Sequence, residues 1–101
     1  MAESAVPSPV PPQPAGPQVG IAVQYRLGPN DVLRIMQART SANQGNTVNV
    51  GDVCAATVVR NWGSSANLKV QIDGNDVDLW VTSMSEGEGP YTWSYLPGEV
   101  T

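Results

Sequence analysis

The stretch QIDGNDVDLWVTS, residues 71–83, sets Asp73, Asn75, Asp76 and Asp78 around Gly74. Carboxylates and amides this closely spaced are the donor set of an oxygen-ligated cation such as calcium. The same residue types build turns, because glycine and asparagine tolerate positive φ and aspartate bonds nearby backbone. Position decides between the two uses. A calcium loop of the EF type needs glycine sixth and glutamate twelfth, whereas counting from Asp73 those places hold Asp78 and Met84. The stretch reads as a tight hairpin turn, Asp73, Gly74, Asn75 and Asp76, with Gly74 and Asn75 at its centre and Asp73 at its entrance. A peripheral calcium and a ligand clamp are the other uses of these side chains.

Catalytic constellations are missing. The chain has no histidine, which excludes Ser/His/Asp and Cys/His machinery and histidine-bound zinc. It has no glycine-rich phosphate loop of either common spacing. Glu86 and Glu88 flank Gly87 in SEGEGPYT, a pairing that could serve acid–base work but sits in the composition of a solvated turn. The single cysteine, Cys54, can form no intrachain disulfide and falls in a strand-like run, where it reads as a small buried hydrophobe. The expectation is a protein that is not an enzyme and needs no cofactor or metal.

The aromatic residues are more suggestive. Phenylalanine is absent, and Trp62, Trp80, Trp93, Tyr25, Tyr91 and Tyr95 all carry a polar atom beside an apolar ring. Such rings suit interfaces as well as cores. Strand alternation would put Tyr91, Trp93 and Tyr95 on one face, either as core or lid, or as a contact patch for a protein, a sugar or a base.

Three segments must position these residues. Residues 1–22 form an arm with six prolines in its first seventeen positions, which excludes helix and central strand. Polyproline II at ~3.1 Å per residue would carry twenty residues about 60 Å. Glu3 is the only charge in those twenty residues, so Val6, Val10 and Val19 are free to dock on neighbouring chains. Residues 23–46 read as a linker and one short helix, about residues 30–42. Asn30 is its expected N-cap and Asp31 sits in its first turn; Val32, Leu33, Ile35 and Met36 form its apolar face. Residues 47–101 then change period: DVCAATVVRNW, NLKVQID and VDLWVTS alternate, with Leu68, Val70 and Ile72, then Val77, Leu79 and Val81, facing one way. A last strand follows in GEGPYTWSYLP. The fold class expected is mainly β: a small SH3-like or OB-like antiparallel barrel with one N-terminal helix and an extended Pro-rich arm.

Charge narrows the partners. Only 14% of residues are charged, against about a quarter in typical domains, which suggests a surface that is partly covered. The net charge is −4 and the five basic residues, Arg26, Arg34, Arg39, Arg60 and Lys69, are dispersed, so no nucleic acid is expected as partner. The N-terminus lacks the basic and apolar regions of a secretory signal, and no run reaches the ~18 apolar residues of a membrane span, so synthesis in a cytoplasm and no membrane attachment are expected.

The segments YRLGPNDVLRI, GDV, ATVVRNW, NLKVQIDGND, LWVTS and GEGPYTW, in this order over about residues 25 to 96, resemble a family of short proteins from tailed phages of actinobacteria and their prophages. Ile72 stands where the family pattern has leucine, and Tyr91 where it has glycine. The resemblance brings a setting and no catalytic residues. It implies a virion, after synthesis in the host cytoplasm, and a structural accessory role there. The most specific form of that role is a capsid decoration or cement protein. The implied partner is the major capsid or another virion protein, met by repeated copies on a lattice or by a homo-oligomer. Candidate interface residues are Val6, Val10, Val19, Trp62, Trp80, Tyr91, Trp93 and Tyr95. A barrel that captures a small ligand, a nucleotide or a sugar, inside the infected host is the alternative.

Overall fold

A ring of five strands cannot alternate direction all the way round, since an odd number leaves one parallel pair. The computed structural model, which describes residues 16–39, 45–75 and 77–98, has this architecture. Expectations that fall on Val6, Val10, Asp76 and the helix at residues 40–42 lie outside those residues. The elements are β1 (Ala22–Arg26), α1 (Pro29–Ala38), β2 (Val53–Asn61), β3 (Ala66–Val70), β4 (Leu79–Glu86) and β5 (Thr92–Tyr95). They close a barrel in the order β1-β2-β3-β4-β5. Every neighbouring pair is antiparallel except β4–β5, which run parallel through Ser85↔Thr92 and Glu86↔Trp93. The fold is thus a small, mainly β barrel with one short helix, of the SH3-like or OB-like kind.

Alternation fills the interior. Val23 and Tyr25 of β1, Ala56 and Val58 of β2, Ala66, Leu68 and Val70 of β3, and Leu79 and Val81 of β4 point inward with Trp93 of β5. Ile72 continues the inward series beyond β3, as its spacing predicted. Two irregularities reset it: the β2–β3 register shifts between Val58 and Arg60, and the β3–β4 register between Ala66 and Leu68. Ser83 takes φ 60° on β4, and past it the inward phase moves to Met84, which packs against the core. Ser83 occupies a conformation that favours glycine and costs other residues of order 1–3 kcal/mol.

The segment boundaries move. β1 comes from the stretch expected to be linker, and pairs with both β2 and β5, so the barrel begins at residue 22 rather than 47. The arm also ends earlier than its composition implied. Pro17 is buried, and the Gly20 N–H donates to the Val58 carbonyl at 2.7 Å, so residues 17–20 belong to the barrel wall.

The helix starts two residues early. Its N-cap is Gly28, with Pro29 in the first turn, and Asp31 accepts the Gly28 N–H at 2.9 Å. Proline pre-sets φ for the first helical position and gives up a donor the helix does not use, which overrides Asn30 as cap. Ile35 and Asp31 are buried, whereas Leu33 and Met36 of the expected apolar face are exposed. A helix laid on the small barrel buries only a narrow stripe.

The hairpin reading also changes. β3 stops at Val70 and β4 starts at Leu79, so Val77 lies outside any strand and is 76% exposed. The Asn75 N–H donates to the Ile72 carbonyl at 3.1 Å, and Gly74 has φ +97°. That is a turn with Asp73 and Gly74 at its centre, positive φ at the second, and Asn75 at its exit. Asn75 has no positive φ, because it sits at the exit of the turn, and its side chain accepts from Arg39 Nε at 2.8 Å and donates to the Ile35 carbonyl at 3.3 Å. The Asp73 carboxylate accepts from the Asn46 side-chain amide. The connection is tied down onto the end of α1.

Candidate interaction surface

The strand registers place one row of side chains across the outside of the barrel, Ala22, Thr57, Lys69 and Trp80. Beside it lie the exposed Val53, Ala55 and Val59 of β2 and Gln71 beyond β3. Outward positions of a half-buried sheet are normally its charged ones. Here Lys69 is the one formal charge among the eight residues just named, and Trp80, 48% exposed, stands next to it. Arg34 of α1 donates to the Trp80 carbonyl at 3.0 Å, closing a stretch of β4 edge that no strand pairs.

At the other end of this wall Asn67, outward-facing yet buried, collects three donors on Oδ1. They are Trp62 Nε1 at 2.9 Å, Thr82 Oγ1 at 2.8 Å and the Ser83 N–H at 2.8 Å. The hub binds β3, β4 and the turn after β2, and satisfies the Ser83 N–H beside the register shift. Trp62 is held across it, and the Arg60 guanidinium lies 4.1 Å from its ring centre, a cation–π contact. Sequence reading passed over Asn67; its only signal was a polar residue abutting the apolar alternation of β3.

Of the expected aromatic face, Trp93 and Tyr95 come together, with Trp93 in the core, and Tyr91 does not join them. Trp93 is 2% exposed and donates its Nε1–H to the Met84 carbonyl at 3.0 Å. Tyr95 meets it edge to face at 5.1 Å and is half-buried. Tyr91 precedes the strand and has φ 66°, which turns it away from both. Its ring lies where a Cβ on residue 28 would stand, 2.0 Å from a ring carbon, so Gly28 is required. Its hydroxyl accepts the Asn30 N–H at 2.7 Å, which satisfies one orphan donor of α1. A glycine at position 91 would meet the left-handed φ without strain. Val19 is exposed.

The Tyr25 hydroxyl, inside the barrel, donates to Asp31, and burial followed by that carboxylate holds the phenol protonated well above its ordinary range. Cys54 is half-buried, and burial with Asp52 and Asp31 nearby pushes its thiol up, so it is a poor nucleophile. A cleft of about 420 Å³ lies between α1 and the β3–β4 connection, floored by Ile35, Ile72 and Leu79 and rimmed by Arg34, Asn75 and Asp78. Among the described residues, no three His, Cys, Asp or Glu side chains are grouped to hold a metal. No helix among them is long and apolar enough to cross a membrane. No known family model, curated protein or solved structure matches the chain.

Proposed function

We propose that this chain is a structural accessory protein of a phage virion, most specifically one that decorates the capsid, and that it acts by binding rather than by catalysis. The observation that carries the binding role is the outer wall, where Trp80, Val53 and Val59 are exposed on sheet positions and Lys69 and Arg60 are the charges beside them. Covering such a wall with a protein partner removes apolar area from water at about 25 cal/mol per Å². The virion setting comes from the phage resemblance, and the low charge and Pro-rich arm agree with a repeated lattice partner. Small-ligand capture has less support, because Trp93 is buried in the barrel, Tyr91 is turned away from Trp93 and Tyr95, and the cleft beside α1 has no aromatic lining. A mass-spectrometric inventory of purified virions is the test. Stoichiometric presence is expected; absence from virions, with the chain found free in the infected cell, would reject the proposal.

A further inference from the structure

The chain carries a net charge of −4, yet its outer wall has the opposite sign. The registers set Thr57, Lys69 and Trp80 in one outward row and Arg60 and Asn67 in the next, with Thr82 bonded to Asn67. Two of these six positions are cationic and none is anionic. Lys69 has Thr57 and Trp80 across the sheet and Asn67 and Gln71 on its own side of the strand line, so its sheet neighbours include no carboxylate. The one acid on β4, Glu86, is that strand's last residue and pairs with Trp93 of β5. Arg34 adds a third cation at the edge of the wall, where it donates to the Trp80 carbonyl.

Two exposed tryptophans stand among these cations. Trp62 is 52% exposed and Trp80 48%. Thr82 shares the Asn67 Oδ1 acceptor with Trp62 Nε1 and lies two residues from Trp80 on the same face of β4, so both rings border one patch. Because its N–H is taken by Asn67, Trp62 offers a partner aromatic carbon. The Arg60 guanidinium sits 4.1 Å from the centre of that ring. A stacked guanidinium keeps its in-plane N–H groups for a carboxylate.

Such a surface selects by two features at once: apolar side chains cover the rings, and carboxylates answer the cations and steer the approach. A nucleic-acid strand would meet the same groups, but it brings a phosphate with every nucleotide to a chain of net negative charge, and dispersed cations do not hold a polyanion. One or two carboxylates match this wall. We infer that the outer wall recognises an acidic segment of a partner protein, in which an aspartate or glutamate reaches Lys69 and Arg60 while a flanking apolar side chain covers Trp62 and Trp80. This gives the chemistry of the partner and rests on the binding role proposed for the same wall.

The test is selection of a bead-displayed random-peptide library against the full chain. Enrichment of peptides with Asp or Glu beside a proline, leucine or aromatic residue is expected. Their binding should fall roughly tenfold or more with Arg60→Glu/Lys69→Glu, and selection on that variant should turn to peptides bearing Lys or Arg. Thermal melts establish that the variant is folded, and Lys69→Glu alone, at an exposed position, gives the same reading if the double variant is not. Neutral or basic binders, no enrichment, or acidic peptides indifferent to the charge reversal would overturn the inference. Tighter binding of an oligothymidylate than of the peptides would overturn it in favour of a nucleic-acid strand. Acidic binders with the chain absent from virions would reject the virion setting and keep this inference; neutral binders with stoichiometric presence there would do the reverse.

Discussion

Trp93 and Trp62 use their polar atoms alike and their rings in opposite ways. Each donates its indole N–H to an acceptor within the fold, the Met84 carbonyl for one and Asn67 Oδ1 for the other, yet one residue is 2% exposed and the other 52%. The anchoring hydrogen bond fixes a ring without deciding which side of the wall it serves. That is decided by strand phase: Trp93 holds an inward position on β5, whereas Trp62 follows the last residue of β2 and lies across the outside of β3. The inner ring is a stability element and the outer rings are available for contact.

The comparison predicts graded losses. Trp93→Ala removes the largest fully buried side chain and should cost ~3–5 kcal/mol, enough to leave a domain of this size largely unfolded in a thermal melt. Tyr25→Phe keeps the inner ring and deletes its donor to the buried Asp31, for about 1–3 kcal/mol. The same pair sets an alkaline limit. The folded chain holds the Tyr25 proton more tightly than the unfolded chain, whose phenol ionises near pH ~10. This contribution is present below that pH and is lost as the pH rises past it. Denaturant melts from neutral to strongly alkaline pH should therefore show a decline that Tyr25→Phe flattens.

The order of elements could be read from apolar spacing, since Leu68, Val70, Leu79 and Val81 alternate without interruption and all face inward. What could not be read is whatever depends on residues far apart in the chain. β1 is a five-residue run, AVQYR, whose polar members hide its role until β2 and β5 close on both its edges. Tyr91 looked like the start of the Trp93–Tyr95 face because alternation assumes extended backbone, and φ 66° breaks that assumption. Gly28 gave no local sign of its importance and Asn67 only that of a polar residue beside the β3 alternation, since one yields to a ring from residue 91 and the other gathers donors from residues 62, 82 and 83.

Smaller effects sharpen the outer half of the comparison. Trp62→Phe preserves a ring but removes one of three donors to Asn67, and should cost about 0.5–1.5 kcal/mol in the same denaturant melts. Trp80→Ala should lie within about 0.5 kcal/mol of the parent, as for a surface site away from the core. A loss of several kcal/mol on Trp80→Ala would make that ring part of the core.

Hydroxyl-radical footprinting of the free chain and of the chain in purified virions, read by mass spectrometry, tests the division of the two walls most directly. Trp80 should be oxidised in the free chain and protected in the virion, with Trp93 unlabelled in both. Equal oxidation of Trp80 in the two states would show that the outer wall meets no partner and would contradict the account.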